Sequence, residues 1–142
     1  SIHWRLLELL EHLKPGRAIQ FRSDDFSRLW WDVEKRLHLD LGEVVELSLL
    51  AEWAGCSVAT LSRACRAAVG VTPMKRVKQM KLSYARSLVQ HSSLTIGQIS
   101  ERIGYGRVFE FSRDYHKHWG MPPTTDRKSS DRYTIENTKR AM

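Results

Sequence analysis

Apolar residues return every three or four positions along most of this chain, the spacing of amphipathic helices. In 2–13 the stripe is Ile2, Leu6, Leu9, Leu10 and Leu13, widened by Trp4 and Leu7. Lys14-Pro15-Gly16 ends it, because proline and glycine both break helices. A loop over 17–23 follows. Ser23 or Asp24 then caps a helix to about His38, with Phe26, Leu29, Trp30, Val33 and Leu37 on one face. Leu39 to Val45 reads as a linker around Gly42.

From Glu46 onward the pattern predicts helices over 46–54, 58–69, 74–91, 96–103 and 107–119, and a last turn at 123–128. Ser57 is placed to cap the second of these, Thr72-Pro73 to open the long one, and Thr95 with Gln98 to form a capping box. Gly55, Gly70, Gly104 and Gly120 each fall just past a helix, where a left-handed residue is needed. No alternating run of strand length occurs, so the fold class is all-α. Residues 129–142 are polar and read as a flexible, frayed tail.

Two segments of this pattern match each other. Gly55, Ser62-Arg63, Gly70 and Pro73 in the first correspond to Gly104, Ser112-Arg113, Gly120 and Pro123 in the second, which carries one more residue between its first glycine and Ser-Arg. The match extends upstream, where Leu50-Ala51 and Ile99-Ser100 each begin five residues before their glycine. Each copy reads as a short helix, a tight turn at glycine and a longer helix, with a small residue (Ala51, Ser100) that lets the two helices approach. That is helix-turn-helix (HTH) geometry, in which the second helix reads the major groove and the first braces it. A helix over 74–91 is about 27 Å long at 1.5 Å per residue. With the helices it joins, it can hold two recognition helices about one DNA turn, roughly 34 Å, apart.

Charge sharpens the picture. The net charge is +7, but residues 57–128 carry 13 Lys/Arg against 4 Asp/Glu, whereas 1–56 carry 7 against 10. A basic span laid over the repeat is the electrostatic footprint of a polyanion binder. Cys56 and Cys65 form no CxxC pair and no histidines bracket them, so they read as free thiols in a reducing cytoplasm rather than metal ligands. His116 and His118, two apart, cannot share a helix face and read as surface residues. No stretch approaches the roughly 20 apolar residues of a membrane helix. Nor is there a GxSxG, an HExxH, a glycine-rich phosphate loop or a Cys-His arrangement, so no enzyme, cofactor or metal site is expected.

Residues 45–128 resemble the DNA-binding domain of the AraC/XylS family of bacterial transcription regulators. The matching residues are LLAEWAGCS-VATLSRACRAAVGVTP, the Lys81-Leu82-x-x-Ala85-x-x-Leu88 stretch of the long helix, and TIGQISERIGYGRVFEFSRDYHKHWGMPP. The resemblance implies two HTH subdomains joined by a long helix. It places a double-HTH domain over 23–128, with HTH units at about 46–70 and 95–120 and a linker helix at about 73–91. Residues 1–22 become a helical extension or linker from a missing N-terminal domain, which agrees with a chain beginning at Ser1 as a processed chain or fragment. The sequence departs from the family at Cys65, where a large aromatic is usual, and at Asp126, where an aromatic usually precedes Arg127. The implied partners are double-stranded DNA, RNA polymerase for the full-length regulator, and a second copy through the missing domain, in the cytoplasm at the nucleoid.

A groove-facing surface draws on the early turns of each recognition helix. This selects Val58, Ala59, Ser62, Arg63 and Arg66 in the first copy, and Arg107, Val108, Phe109, Ser112, Arg113 and Lys117 in the second. Arg66 and Lys117 suit phosphates. The arginines suit guanine, the serines a base or phosphate, and Ala59 and Val108 a thymine methyl. Phe109 fits either the exposed face or the core. Lys75, Arg76, Lys78 and Lys81 fit phosphate contacts or a solvated face; Lys75 and Arg76 are the phosphate candidates. Trp30, Trp53, Tyr84 and Trp119 read as packing residues. Two other classes remain open: the DNA-binding part of a repair enzyme, and a helical protein-interaction module in which 2–13 supplies a dimer contact. An RNA-binding reading lacks an aromatic platform.

Overall fold

The computed structural model describes residues 23–43 and 45–141. The helix expected over 2–13 and the loop over 17–22 lie outside the described residues. Seven α-helices follow in order: α1 Ser23–Leu39, α2 Leu47–Ala54, α3 Val58–Val69, α4 Pro73–His91, α5 Ile96–Arg102, α6 Val108–Trp119 and α7 Pro123–Ala141. No strand occurs among the described residues. Nor is any described helix long and apolar enough to cross a membrane.

The local signals act where the sequence places them. The Ser57 side chain accepts the Thr60 amide at 3.1 Å to open α3. Thr95 and Gln98 close a full capping box on α5, each side chain bonding the other's backbone amide. Pro73 opens α4 at the first helical position, where its missing N–H removes no bond. Gly104 turns α5 toward α6 at φ 82°, and a Cβ there would lie 3.0 Å from the Gly42 carbonyl oxygen and 3.3 Å from Lys81 Nζ. Any side chain would therefore be strained in its backbone and crowded against that loop.

The described residues fall into two compact units, the first within 1–40 and 44–77, the second within 41–43 and 78–142. In the first, α1 packs on α2 and α3. Its buried side chains are Trp30, Val33 and Leu37 from α1, Leu50, Ala51 and Ala54 from α2, and Leu61, Ala64 and Cys65 from α3. In the second, Leu82, Ala85 and Val89 of α4 share a core with Ile99, Ile103, Phe111 and Tyr115. The rings of Tyr105, Phe111, Tyr115 and Trp119 follow one another there at centroid distances of 5.5, 5.7 and 6.5 Å.

One element departs from expectation. Where the sequence reading has a single turn and a frayed tail over 129–142, α7 continues to Ala141. No proline or glycine follows Pro123, and hydroxyls of Ser129, Thr134 and Thr138 bond the carbonyls four residues back. Residues 131–141 are exposed throughout, so local bonding rather than packing carries this stretch.

Candidate nucleic-acid interface

Each unit presents one amphipathic helix after a glycine turn. In α3, Leu61, Ala64 and Cys65 face inward, leaving Val58, Ala59, Arg63, Arg66 and Ala67 exposed and Ser62 half-buried. In α6, Phe111 and Tyr115 face inward, leaving Val108, Phe109, Glu110, Arg113, His116 and Lys117 exposed and Ser112 half-buried. Arg107 is exposed as the residue that opens α6. The eleven positions selected from the two recognition helices therefore lie on or beside the outward face of α3 or α6. Phe109, which fitted core or surface, is 76% exposed and belongs to the surface.

The long helix behaves differently. Arg76 is not free for phosphate: its guanidinium is bound to the buried Glu34 carboxylate, with Nε 3.1 Å from Oε1. Lys78 pairs with Asp114 at 3.4 Å. Lys81 donates to the Glu43 carbonyl at 3.3 Å, and burial lowers the pKa of its ammonium. Lys75 is exposed and keeps its place as a phosphate candidate. Tyr84, read as a packing residue, is 38% exposed on α4. Trp30 is fully buried, whereas Trp53 and Trp119 are half-buried beneath the guanidinium groups of Arg36 and Arg86, at 4.2 and 4.4 Å from ring centroid to Cζ.

Two buried carboxylates tie helices together, Glu34 joining α1 to α4 and Asp126 joining α6, α4 and α7, and the sequence singled out neither for that role. Glu34 of α1 accepts the Trp30 indole N–H at 2.8 Å as well as Arg76. Asp126 of α7 accepts the Tyr115 hydroxyl and the Gln90 amide at 3.1 Å, and pairs with Arg86 at 3.2 Å. Burial, then the bond to Asp126, pushes the Tyr115 hydroxyl well above its ordinary range, so it stays a donor. Tyr105 is raised in the same way, by burial and its 3.0 Å bond to Asp114.

A further surface residue emerges from the repeat. The Gly70 amide caps α3 on the Arg66 carbonyl, and the Gly120 amide caps α6 on the His116 carbonyl. His116 thus holds on the outward face of α6 the register that Arg66 holds on that of α3. The shared offset between the two copies was the signal that could have found it. His118 instead lies edge-on to Trp119 at 4.6 Å.

Neither thiol is disposed to chemistry. Cys65 is fully buried; burial and the Glu34 carboxylate push its pKa up to about 12 despite the opposing Arg76. Cys56 is half-buried and its pKa is also raised by burial. Among the described residues no group of three or more His, Cys, Asp or Glu is placed to hold a metal ion.

Comparison with known proteins agrees with this geometry. Residues 50–129 match a family model described as a helix-turn-helix domain. The MmsAB operon regulatory protein of Pseudomonas aeruginosa is 28% identical over 87% of this chain, covering 39% of its own length. The HTH-type transcriptional activator RhaS of Salmonella arizonae is 29% identical over 88% of this chain, covering 45% of its own. The chain thus spans less than half the length of these relatives. Among solved structures, an AraC-type regulator from Chromobacterium violaceum aligns with a TM-score of 0.70 at 24% identity, over 72% of this chain and 92% of that one. The DNA-binding domain of AdpA, solved with a target DNA, aligns with a TM-score of 0.68 at 20% identity, over 70% of this chain and 90% of that one. The family match covers both glycine turns and both outward-facing helices, and on that evidence the chain belongs to the AraC/XylS family of helix-turn-helix proteins.

Proposed function

We propose that this chain is the DNA-binding part of a bacterial transcription regulator, with α3 and α6 entering successive major grooves of double-stranded DNA. The observation that carries the reading is the outward face of α6. Arg107, Phe109, Arg113 and Lys117 are all exposed there, with the aromatic 76% accessible, on a helix anchored from behind by Phe111 and Tyr115. A rigid helix that offers cations and an apolar ring to solvent suits a groove of acceptors and methyl groups flanked by phosphates. Val58, Ala59, Ser62, Arg63 and Arg66 form the corresponding grip in the first unit, and Lys75 adds a phosphate contact.

The relatives' names and the DNA-bound AdpA domain support this reading. The relatives are more than twice as long as the aligned region, so a whole regulator of that length has room for a second domain. Dimerisation through such a domain, contact with RNA polymerase, a cytoplasmic location at the nucleoid and a non-catalytic role all belong to the proposal.

The test is a binding titration on DNA selected in vitro, repeated across salt concentrations. Arg113→Ala is expected to lower affinity for the selected site about tenfold and relax one base preference. Lys117→Ala is expected to weaken binding to all sequences and reduce the salt slope by about 1. The proposal fails if both variants match the parent protein on every duplex.

A further inference from the structure

The recognition face of α6 carries one group that a general polyanion binder would lack. Glu110 is exposed in the first turn of the helix, directly after Phe109 and three residues before Arg113. Such a position usually has a simple structural use: a Glu or Gln there reaches back to the helix-opening amide. In α5 the equivalent Gln98 does so, bonding the Thr95 amide at 2.9 Å. In α6 the opening residue, Arg107, makes no side-chain capping bond. Glu110 has no hydrogen bond or ion pair among the described residues, even with Arg113 on the next turn. Its recorded influence is electrostatic: behind burial and Asp114, it adds to the upward push on the Tyr105 hydroxyl. The helix's other acid, Asp114, is half-buried and engaged by Tyr105, Lys78 and, at 3.7 Å, Arg113.

An ionised carboxylate only accepts hydrogen bonds. On a helix docked in the major groove it faces repulsion from phosphates unless a base edge supplies an N–H. Guanine presents O6 and N7 there, and thymine presents O4 and a methyl, so neither offers a donor. Adenine offers N6 beside an acceptor; cytosine offers its N4 amino group without an acceptor next to it. We propose that Glu110 is a specificity-determining residue of the second HTH, accepting the N4 amino group of a cytosine and excluding guanine and thymine at that position. This rests on the reading of α6 as a DNA-recognition helix. The first unit lacks the device. Thr60 occupies the same register on α3, and its hydroxyl and amide are both turned to Ser57, at 2.9 and 3.1 Å.

The experiment is in-vitro selection from a randomised DNA duplex library with the whole chain, with Glu110→Ala, Glu110→Gln and Arg113→Ala run beside it, followed by titrations on the selected duplex and on a random-sequence duplex. The unsubstituted chain should enrich cytosine at one position. Glu110→Ala should lose that preference, reduce discrimination at that base pair about tenfold, and bind the random duplex severalfold more tightly because a repelled charge is gone. Glu110→Gln should move the preference toward adenine, which glutamine can bond at N6 and N7. If Glu110→Ala keeps the parent base profile while Arg113→Ala loses a preference of its own, the inference is overturned and Glu110 is a solvated charge at a helix start. If neither variant changes the profile, the reading of α6 as the DNA reader falls, and this inference with it.

Discussion

The two HTH units share a register of burial but not a chemistry. Leu50, Ala51, Ala54, Leu61 and Cys65 of the first occupy the places of Ile99, Ser100, Ile103, Phe111 and Tyr115 in the second, and all ten are buried. The first unit fills its recognition helix with small residues and ties α1 to α4 through Glu34 and Arg76. The second uses a run of aromatic rings and ties α6, α4 and α7 through Asp126. The carboxylate comes from the helix before the HTH in one unit and from the helix after it in the other. Outward, α3 offers two arginines among alanines, whereas α6 offers an aromatic ring, a carboxylate, a histidine and two more cations. A repeat thus conserves which positions must be buried and leaves free how they are filled, and its surface positions are freer still.

The aromatic core of the second unit gives the strongest test. Phe111→Ala should cost about 3–5 kcal/mol, the range for a fully buried aromatic truncated to alanine. Hydrogen exchange resolved by residue should show the loss in the second unit. Equal loss of protection in both units would show one cooperative block and break the comparison.

Next is the carboxylate hub of the first unit. Glu34→Ala leaves the Arg76 guanidinium and the Trp30 indole N–H without their acceptor. Arg76 keeps 29% of its side chain in solvent, which moderates the penalty to about 2–3 kcal/mol in a urea titration. A change under about 0.5 kcal/mol would show that the hub holds geometry without contributing stability.

Alkaline pH should separate the units more finely. The folded first unit keeps the Cys65 thiol protonated up to about 12, whereas the unfolded chain releases that proton from about 9.0. A raised folded pKa means its stability is fully present below the unfolded value and declines as pH rises above 9.0. In the second unit the raised groups are Tyr105 and Tyr115, whose decline starts from 10.0. Denaturant midpoints followed upward from neutral pH should therefore fall first in the thiol range, and Cys65→Ala should reduce that early part, leaving what Cys56 contributes. A fall of the same size in the variant would assign it to other groups.

The smallest stability effect belongs to the surface. Phe109→Ala should leave the melting midpoint within about 0.5 kcal/mol of the parent, because the ring is 76% exposed, while still weakening DNA binding in a titration. Marked destabilisation would return Phe109 to the core and remove the apolar member from the proposed reading face.

Much of this molecule was legible in advance because its signals are local. Helix bounds from 47 to 119 fall within about a residue of the periodic apolar stripes, since caps and glycine turns act over three or four residues. The outward faces of α3 and α6 were legible for the same reason, through helical period and the offset of the repeat. The register of His116 was equally available from the offset of the repeat and was missed because His116 was weighed only against His118. The last helix was read as a single turn because polar composition was weighed above the absence of any helix breaker after Pro123.

The all-helical class, the duplicated unit, the turns and the faces of the helices follow from neighbouring residues alone, because backbone hydrogen bonding and apolar period are local properties. Which charges are paired is settled by folding. Arg76 meets Glu34 across 42 residues and Gln90 meets Asp126 across 36, and no spacing rule links such pairs. A cation that looks free in a sequence is costly to turn toward phosphate when folding has bound it to a buried carboxylate, as it has Arg76. On α4 folding gave Arg76 and Lys78 a carboxylate and Lys81 a backbone carbonyl, while on α6 it left Arg107 and Lys117 turned to solvent.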